Sequence, residues 1–168
     1  MEAEQAAETD LRELMARFGT DVYRTCFVYL ADAHLAEDAM QETFLKAWRA
    51  RGSFRGQAGE KTWLTRIAIN TCKDMRRGAW FRHVERKISL DDLPEAQTPP
   101  LLADDTLINA VMALPGKYKS VILLTYYWGM SAKEVAIALR IAVPTVYLRL
   151  KTARQKLKAE LEGWYQDE

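Results

Sequence analysis

Apolar residues recur along this chain at intervals of three and four, the rhythm of helices that bury one side. The expected fold class is all-α. A first helix is expected from Thr9 to Leu30, capped by Thr9 or Asp10, with Leu11, Leu14, Met15 and Phe18 along one side. Gly19 is expected to interrupt it before Val22, Cys26 and Leu30 resume the core face. A second helix, Leu35 to Ala50, would bury Met40, Phe44, Ala47 and Trp48. Its other side carries Asp38, Glu42 and Arg49 with Leu45 among them, an exposed leucine beside acids.

The next periodic stretch, Trp63 to Arg77, is WLTRIAINTCKDMRR. Leu64, Ile67, Ala68, Thr71, Cys72 and Met75 form its apolar side. Arg66, Asn70, Lys73 and Arg77 follow one another along the opposite side, with Trp63 at the amino-terminal end and Ile69 pointing into the basic face. None of these cations has an acid four residues before it, so the stripe lacks the pairing that solvated helices use. A cationic helix with an aromatic at its end suits stacked bases and phosphates, although a solvated face has the same composition. Gly78 is expected to end it.

Two stretches break the rhythm. RGSFRGQAGEKT, residues 51–62, carries three glycines and no period, so it is expected to be a loop delivering Phe54, Arg55 and Lys61 to the basic helix. ISLDDLPEAQTPPLLADD is acidic, with three prolines, and reads as a linker between domains. Helix resumes from Asp105 to Met112. Pro115 opens another, with Tyr118, Val121, Ile122 and Leu124 to Tyr126 inside and Gly129 as its stop. Ser131 caps a short helix with Val135, Ala136 and Leu139 on one face. A tight turn at Arg140 to Val143 leads into a long helix, Pro144 to Leu161, burying Val146, Leu150, Ala153 and Leu157. Two helices with a short turn and a small residue at the crossing describe a helix-turn-helix. Leu148, Lys151 and Gln155 point away from its core, with Arg149 and Lys156 on one flank and Arg154 and Lys158 on the other. The fold expected is thus two small helical domains, residues 1–87 and 107–168, joined by a flexible acidic linker at 88–106.

Charge sharpens this division. The net charge is only +1, but residues 1–45 carry 3 basic and 10 acidic side chains, hence −7, and residues 46–87 carry 12 and 3, hence +9. Residues 88–106 hold 5 acids and no base, hence −5, and residues 107–168 hold 9 bases and 5 acids, hence +4. Two basic blocks around an acidic connector suggest two nucleic-acid-facing modules, and the acidic start suggests a protein partner. With 49% hydrophobic and 28% charged residues the chain belongs with globular proteins, not disordered ones. No apolar run approaches the roughly 20 residues of a membrane span, and the start lacks a signal-peptide pattern, so a cytoplasmic protein with no membrane insertion of its own is expected. Cys26 and Cys72 have no CxxC partner, and His34 and His83 complete no metal spacing, so reduced buried thiols, no metal and no cofactor are expected. No phosphate loop or nucleophile elbow points to catalysis, so no catalytic residue is named.

HLAEDAMQETFLKAW, SFRGQAGEKTWLTRIAINTCKDMRR, LPGKYKSVILLTYYWGMSAKEVAIAL and RLKTARQKL together resemble the sigma-70 family, in particular its two-domain extracytoplasmic-function group. The likeness runs from about Asp21 to Leu157 in the family's order, the linker excepted. It implies a sigma factor that directs core RNA polymerase to promoters and promotes initiation, with the polymerase performing the chemistry. Asp38, Gln41, Glu42 and Leu45 match the motif that binds the polymerase clamp. The first domain would melt and recognise the −10 element, with Phe54, Arg55 and Lys61 around a flipped base and Trp63, Arg66, Asn70, Lys73 and Arg77 along the single strand. The second would dock on the polymerase flap and place Thr145, Tyr147, Leu148, Arg149, Lys151 and Arg154 at the −35 duplex. The acidic linker would thread towards the active-site channel, and an anti-sigma protein is an expected partner.

One stretch departs from the family. The usual Leu-Gly turn and Gly-Thr-Val-Lys-Ser-Arg opening is replaced by LRIAVPTVYLR. Arg140 and Pro144 stand for glycines, and Tyr147 and Leu148 for a basic residue and a serine. Proline in a first helical turn is harmless. The lost cation and hydroxyl put direct base readout there in question, although Leu148 can pack on a thymine methyl. Two other classes stay open at this point: a dimeric operator-binding regulator whose first domain senses a signal, and an enzyme using Cys26 or Cys72.

Overall fold

The computed structural model describes residues 2–54, 59–86 and 105–166, and all regular structure among them is helical. In chain order the helices are α1 (Glu2–Leu30), α2 (Ala33–Ala50), α3 (Glu60–Arg86), α4 (Asp105–Ala113), α5 (Gly116–Ile122), α6 (Ala132–Leu139) and α7 (Val143–Gln166). A 3-10 turn follows α2 at Arg51–Ser53, and a π-helical turn extends α5 at Leu123–Tyr127. The chain divides into two compact units, Met1–Arg55 with Ile67–Thr98 and Gly56–Arg66 with Pro99–Glu168. The expected linker at 88–106 lies almost wholly outside the described residues.

In the first unit α1 and α2 pack along one another, joined by only Ala31 and Asp32. Ala31 makes the reversal in the left-handed region at φ 53°, donating its N–H to the Phe27 carbonyl at 2.8 Å. Asp32 then accepts from the Leu35 N–H at 2.9 Å and caps α2. The core face of α2 is built from Ala36, Ala39, Thr43, Phe44 and Ala47, so α1 can approach closely with Val22, Cys26 and Tyr29. Buried threonines return their hydroxyls to the carbonyl one turn earlier: Thr25 to Asp21 at 2.8 Å and Thr43 to Ala39 at 2.6 Å.

Five expectations need correction here. The first helix begins at Glu2, not at a Thr9 or Asp10 cap, and runs through Gly19 without a break. A glycine inside a helix costs only about 1 kcal/mol. Phe18 and Val22, buried on either side of it, outweigh that. Gly78 likewise does not end α3. Ile69 is a core residue, not an apolar intruder on the basic face, because the buried strip of α3 holds Ala68, Ile69 and Cys72 while Ile67 and Met75 are half-buried. Trp48 lies outside the core, 37% exposed, because the alanines of α2 leave no room for an indole. Arg51 stacks over its ring at 4.2 Å instead.

In the second unit α4, α5 and α6 all pack on α7. Val121, Leu124, Val135, Val146 and Ala153 are buried in its core. Ser131 caps α6 through a capping box: its hydroxyl accepts from the Glu134 N–H at 3.2 Å, and its own N–H donates to the Glu134 carboxylate at 3.3 Å. Arg140, in the place expected of a glycine, ends α6 in the left-handed region at φ 55°, ψ 48°. Ile141 and Ala142 complete the turn, and α7 already begins at Val143. A further correction concerns Tyr126, expected inside. The π-helical turn closes with Trp128 N–H on the Leu123 carbonyl at 3.0 Å, a hydrogen bond that spans one residue more than that of an α-helix. The added residue shifts the register, so Trp128 is buried while Tyr126 and Tyr127 are exposed. Gly129, at φ 65°, then stops the helix as expected.

Candidate nucleic-acid interface

On α2 the residues singled out by the sequence share one outward side. Asp38 and Gln41 are exposed, Glu42 is half-buried and Leu45 is 43% exposed. Spacings of three, four and three carry the same line on to Trp48, which sequence reasoning assigned to the core. The signal that identifies it was available: four alanines from Ala36 to Ala50 already supply a close-packed face. The strip is acidic at its start, apolar in its second half and closed by the Trp48–Arg51 stack. It offers a protein partner a leucine and an indole as anchors.

The basic stripe of α3 divides by exposure. Asn70, Lys73 and Arg77 are exposed, and Trp63 and Arg66 are half-buried. The Nε of Arg66 is buried and has no hydrogen-bond partner among the described residues. Burial first, and the charge of Arg140 second, hold its guanidinium below the ordinary arginine value. Lys61 sits in the first turn of α3, not in a loop, and donates to the Trp128 carbonyl at 3.3 Å within the second unit. Phe54 is half-buried just after the 3-10 turn. Arg55 and the rest of the glycine loop to Ala58 lie outside the described residues.

On α7 the outward surface is more apolar at its start than its net charge suggests. Tyr147 is 61% and Leu148 65% exposed, with Lys151 and Arg154 exposed beyond them. Thr145 and Arg149 are half-buried. Val143, Tyr147, Lys151, Arg154 and Lys158 follow at four, four, three and four along one side. Proline at the second position leaves the helix start intact, as a first-turn proline should. Lys158 pairs with Glu162 at 3.8 Å at the far end of the helix.

Among the described residues no group of histidines, cysteines and carboxylates could hold a metal, and no helix is long and apolar enough to cross a membrane. Cys26 and Cys72 are free, buried thiols. The hydrogen bond to Cys72, together with burial, pushes the Cys26 thiol far up, away from the thiolate a nucleophile requires.

Two parts of the chain match two regions of one known protein family. The models of Sigma-70 region 2 and Sigma-70, region 4 match residues 14–82 and 104–157 respectively. The ECF RNA polymerase sigma factor SigL of Mycobacterium tuberculosis is 34% identical over 94% of this chain and 92% of its own. The factor SigW of Bacillus subtilis is 32% identical over 83% and 82%. Among solved structures, CnrH in complex with the cytosolic domain of CnrY aligns with TM-score 0.70 at 26% identity, covering 96% of this chain and 95% of that one. The sigma factor RpoE bound to the anti-sigma factor NepR, from Bartonella quintana, shares the fold with TM-score 0.74 at 21% identity over 91% and 97%. The chain belongs to the extracytoplasmic-function group of the sigma-70 family, promoter-recognising initiation factors of RNA polymerase that are not themselves enzymes.

Proposed function

We propose that the two units divide promoter recognition as the matched regions suggest. The outward strip of α2, with Asp38, Gln41, Glu42 and Leu45, docks on the clamp of core polymerase. The α3 stripe, Trp63, Arg66, Asn70, Lys73 and Arg77, lines the single-stranded −10 element, with Phe54, Arg55 and Lys61 about a flipped base. The α6–α7 pair lays α7 in the major groove at the −35 element, with Lys151 and Arg154 on phosphates and Leu148 against a thymine methyl. The second unit also meets the polymerase flap, and the acidic stretch 88–106 joins two domains that each fold alone. The place of action is the cytoplasm, with polymerase and DNA. Because RpoE was solved with the anti-sigma factor NepR and CnrH with the cytosolic domain of CnrY, an anti-sigma protein covering the DNA faces is a proposed partner here too.

The observation that supports this reading most is positional. In both matched regions the residues assigned to partners lie mainly on exposed or half-exposed sides, while separate apolar sides of the same helices fill the cores. An operator-binding regulator would explain α7 but not the α2 strip. Reversing the charge of Asp38 and Glu42 together, or Leu45→Ala, is expected to weaken core-polymerase binding at least about tenfold, as loss of an interface anchor does. The folded protein should melt at nearly the wild-type temperature. Unchanged affinity for core polymerase in these variants would return Leu45 to an ordinary surface leucine.

A further inference from the structure

The π-helical turn at Leu123–Tyr127 places an exposed phenol against the basic side of α7, and the proposed −35 contacts do not account for it. Tyr126 is 58% exposed, yet it is not loose: Arg154 donates its Nε–H to the Tyr126 hydroxyl at 2.6 Å, and its guanidinium carbon lies 5.6 Å from the ring centroid. The two residues are far apart in sequence and both face solvent, and Tyr126 lies within the π turn. Such turns recur where a helix serves a function.

We infer that Tyr126 is a positioning residue for Arg154 at the DNA backbone, an inference that rests on the −35 role proposed for α7. A guanidinium carries five N–H donors in a rigid plane. With Nε committed to the phenol, the plane of Arg154 is set and its terminal N–H groups remain to fork onto a phosphate. An arginine free on the surface would have to give up its rotamer freedom on binding; one already held by Tyr126 has less to lose. The hydroxyl that accepts from Nε keeps its own hydrogen, which can be donated to the same phosphate. Lysine is a poorer replacement for Arg154, since its three donors radiate from one rotating nitrogen and cannot hold the phenol while presenting a fixed planar fork to a phosphate.

The test uses holoenzyme assembled from core polymerase and the full chain, titrated with a promoter duplex that the wild-type holoenzyme selects from a randomised library. Tyr126→Phe keeps the ring and removes only the hydroxyl. It is expected to weaken binding about three- to tenfold, the net worth of one hydrogen bond, with the melting temperature unchanged. Arg154→Ala should weaken binding and lower the salt slope by about one unit, whereas Tyr126→Phe should leave the slope as it was. The decisive reading is the pair: in an Arg154→Ala or Arg154→Lys background, adding Tyr126→Phe should change affinity by no more than about twofold. Wild-type affinity in Tyr126→Phe, or effects that multiply in the double variant, would overturn the positioning role while leaving the −35 reading intact. A wild-type holoenzyme indifferent to the −35 sequence would remove both.

Discussion

Cys26 lies at the centre of the first unit and sets its behaviour in alkali. Its thiol is fully buried and bonded to Cys72, so the folded chain keeps that proton to higher pH than the unfolded chain, whose thiol ionises near 9.0. A raised folded value means that the contribution is fully present below pH 9.0 and is lost as pH rises beyond it. Stability should therefore fall as pH rises above that point through this group. Urea unfolding between pH 8 and pH 10 should show the loss in the wild type and a shallower slope in Cys26→Ala, whatever the baseline stability of the variant. Equal slopes would mean that the thiol pair does not govern the alkaline limit. The same residue-scale chemistry argues against an enzyme built on these cysteines, since both thiols are buried and the hydrogen bond to Cys72, with burial, holds Cys26 away from the thiolate.

At the scale of helices, backbone conformation separates what is tolerated from what is optimal. Gly19 lies within α1, and a Cβ added there meets nothing within 4 Å. Arg140 occupies a left-handed position that costs an ordinary residue energy. Gly19→Ala and Arg140→Gly are expected to stabilise the chain by roughly 0.5–1 kcal/mol each, the first by helix propensity and the second by relief of strain less the added freedom of the unfolded chain. Denaturant midpoints that fall in either variant would contradict this. The helices themselves were legible from periodicity, and Ser131 and Gly129 marked real boundaries. Gly19 and Gly78 misled because a local penalty near 1 kcal/mol is smaller than the burial on either side. Tyr126 misled for another reason: a 3.6-residue period cannot foresee a π turn, and every side chain after the inserted residue is displaced. Trp48 was assigned inward because size and apolarity suggested it, while the alanine-lined interface of α2 had already closed.

Across the whole molecule, charge and motif order carried more than any single helix. The alternation of acidic and basic blocks foretold two modules, and the two matched regions now stand at residues 14–82 and 104–157. Roles for individual residues came from resemblance, because a solvated basic face and a DNA-binding one have the same composition. Exposure narrows the choice by leaving Asn70, Lys73, Lys151 and Arg154 outward while Ile69 goes to the core. These residues should part company in function. Asn70 is placed to hold an unstacked base, so Asn70→Ala should alter which −10 sequence is preferred. Lys151→Ala should weaken all −35 sequences alike and lower the salt slope by about one unit. The most direct test is run-off initiation by core polymerase from a library randomised at both elements, with the wild type and each of these variants. The account predicts defined starts only when the chain is added, enrichment of one sequence at each element, and a shifted −10 preference in Asn70→Ala alone. Starts that are the same with and without the chain would contradict it.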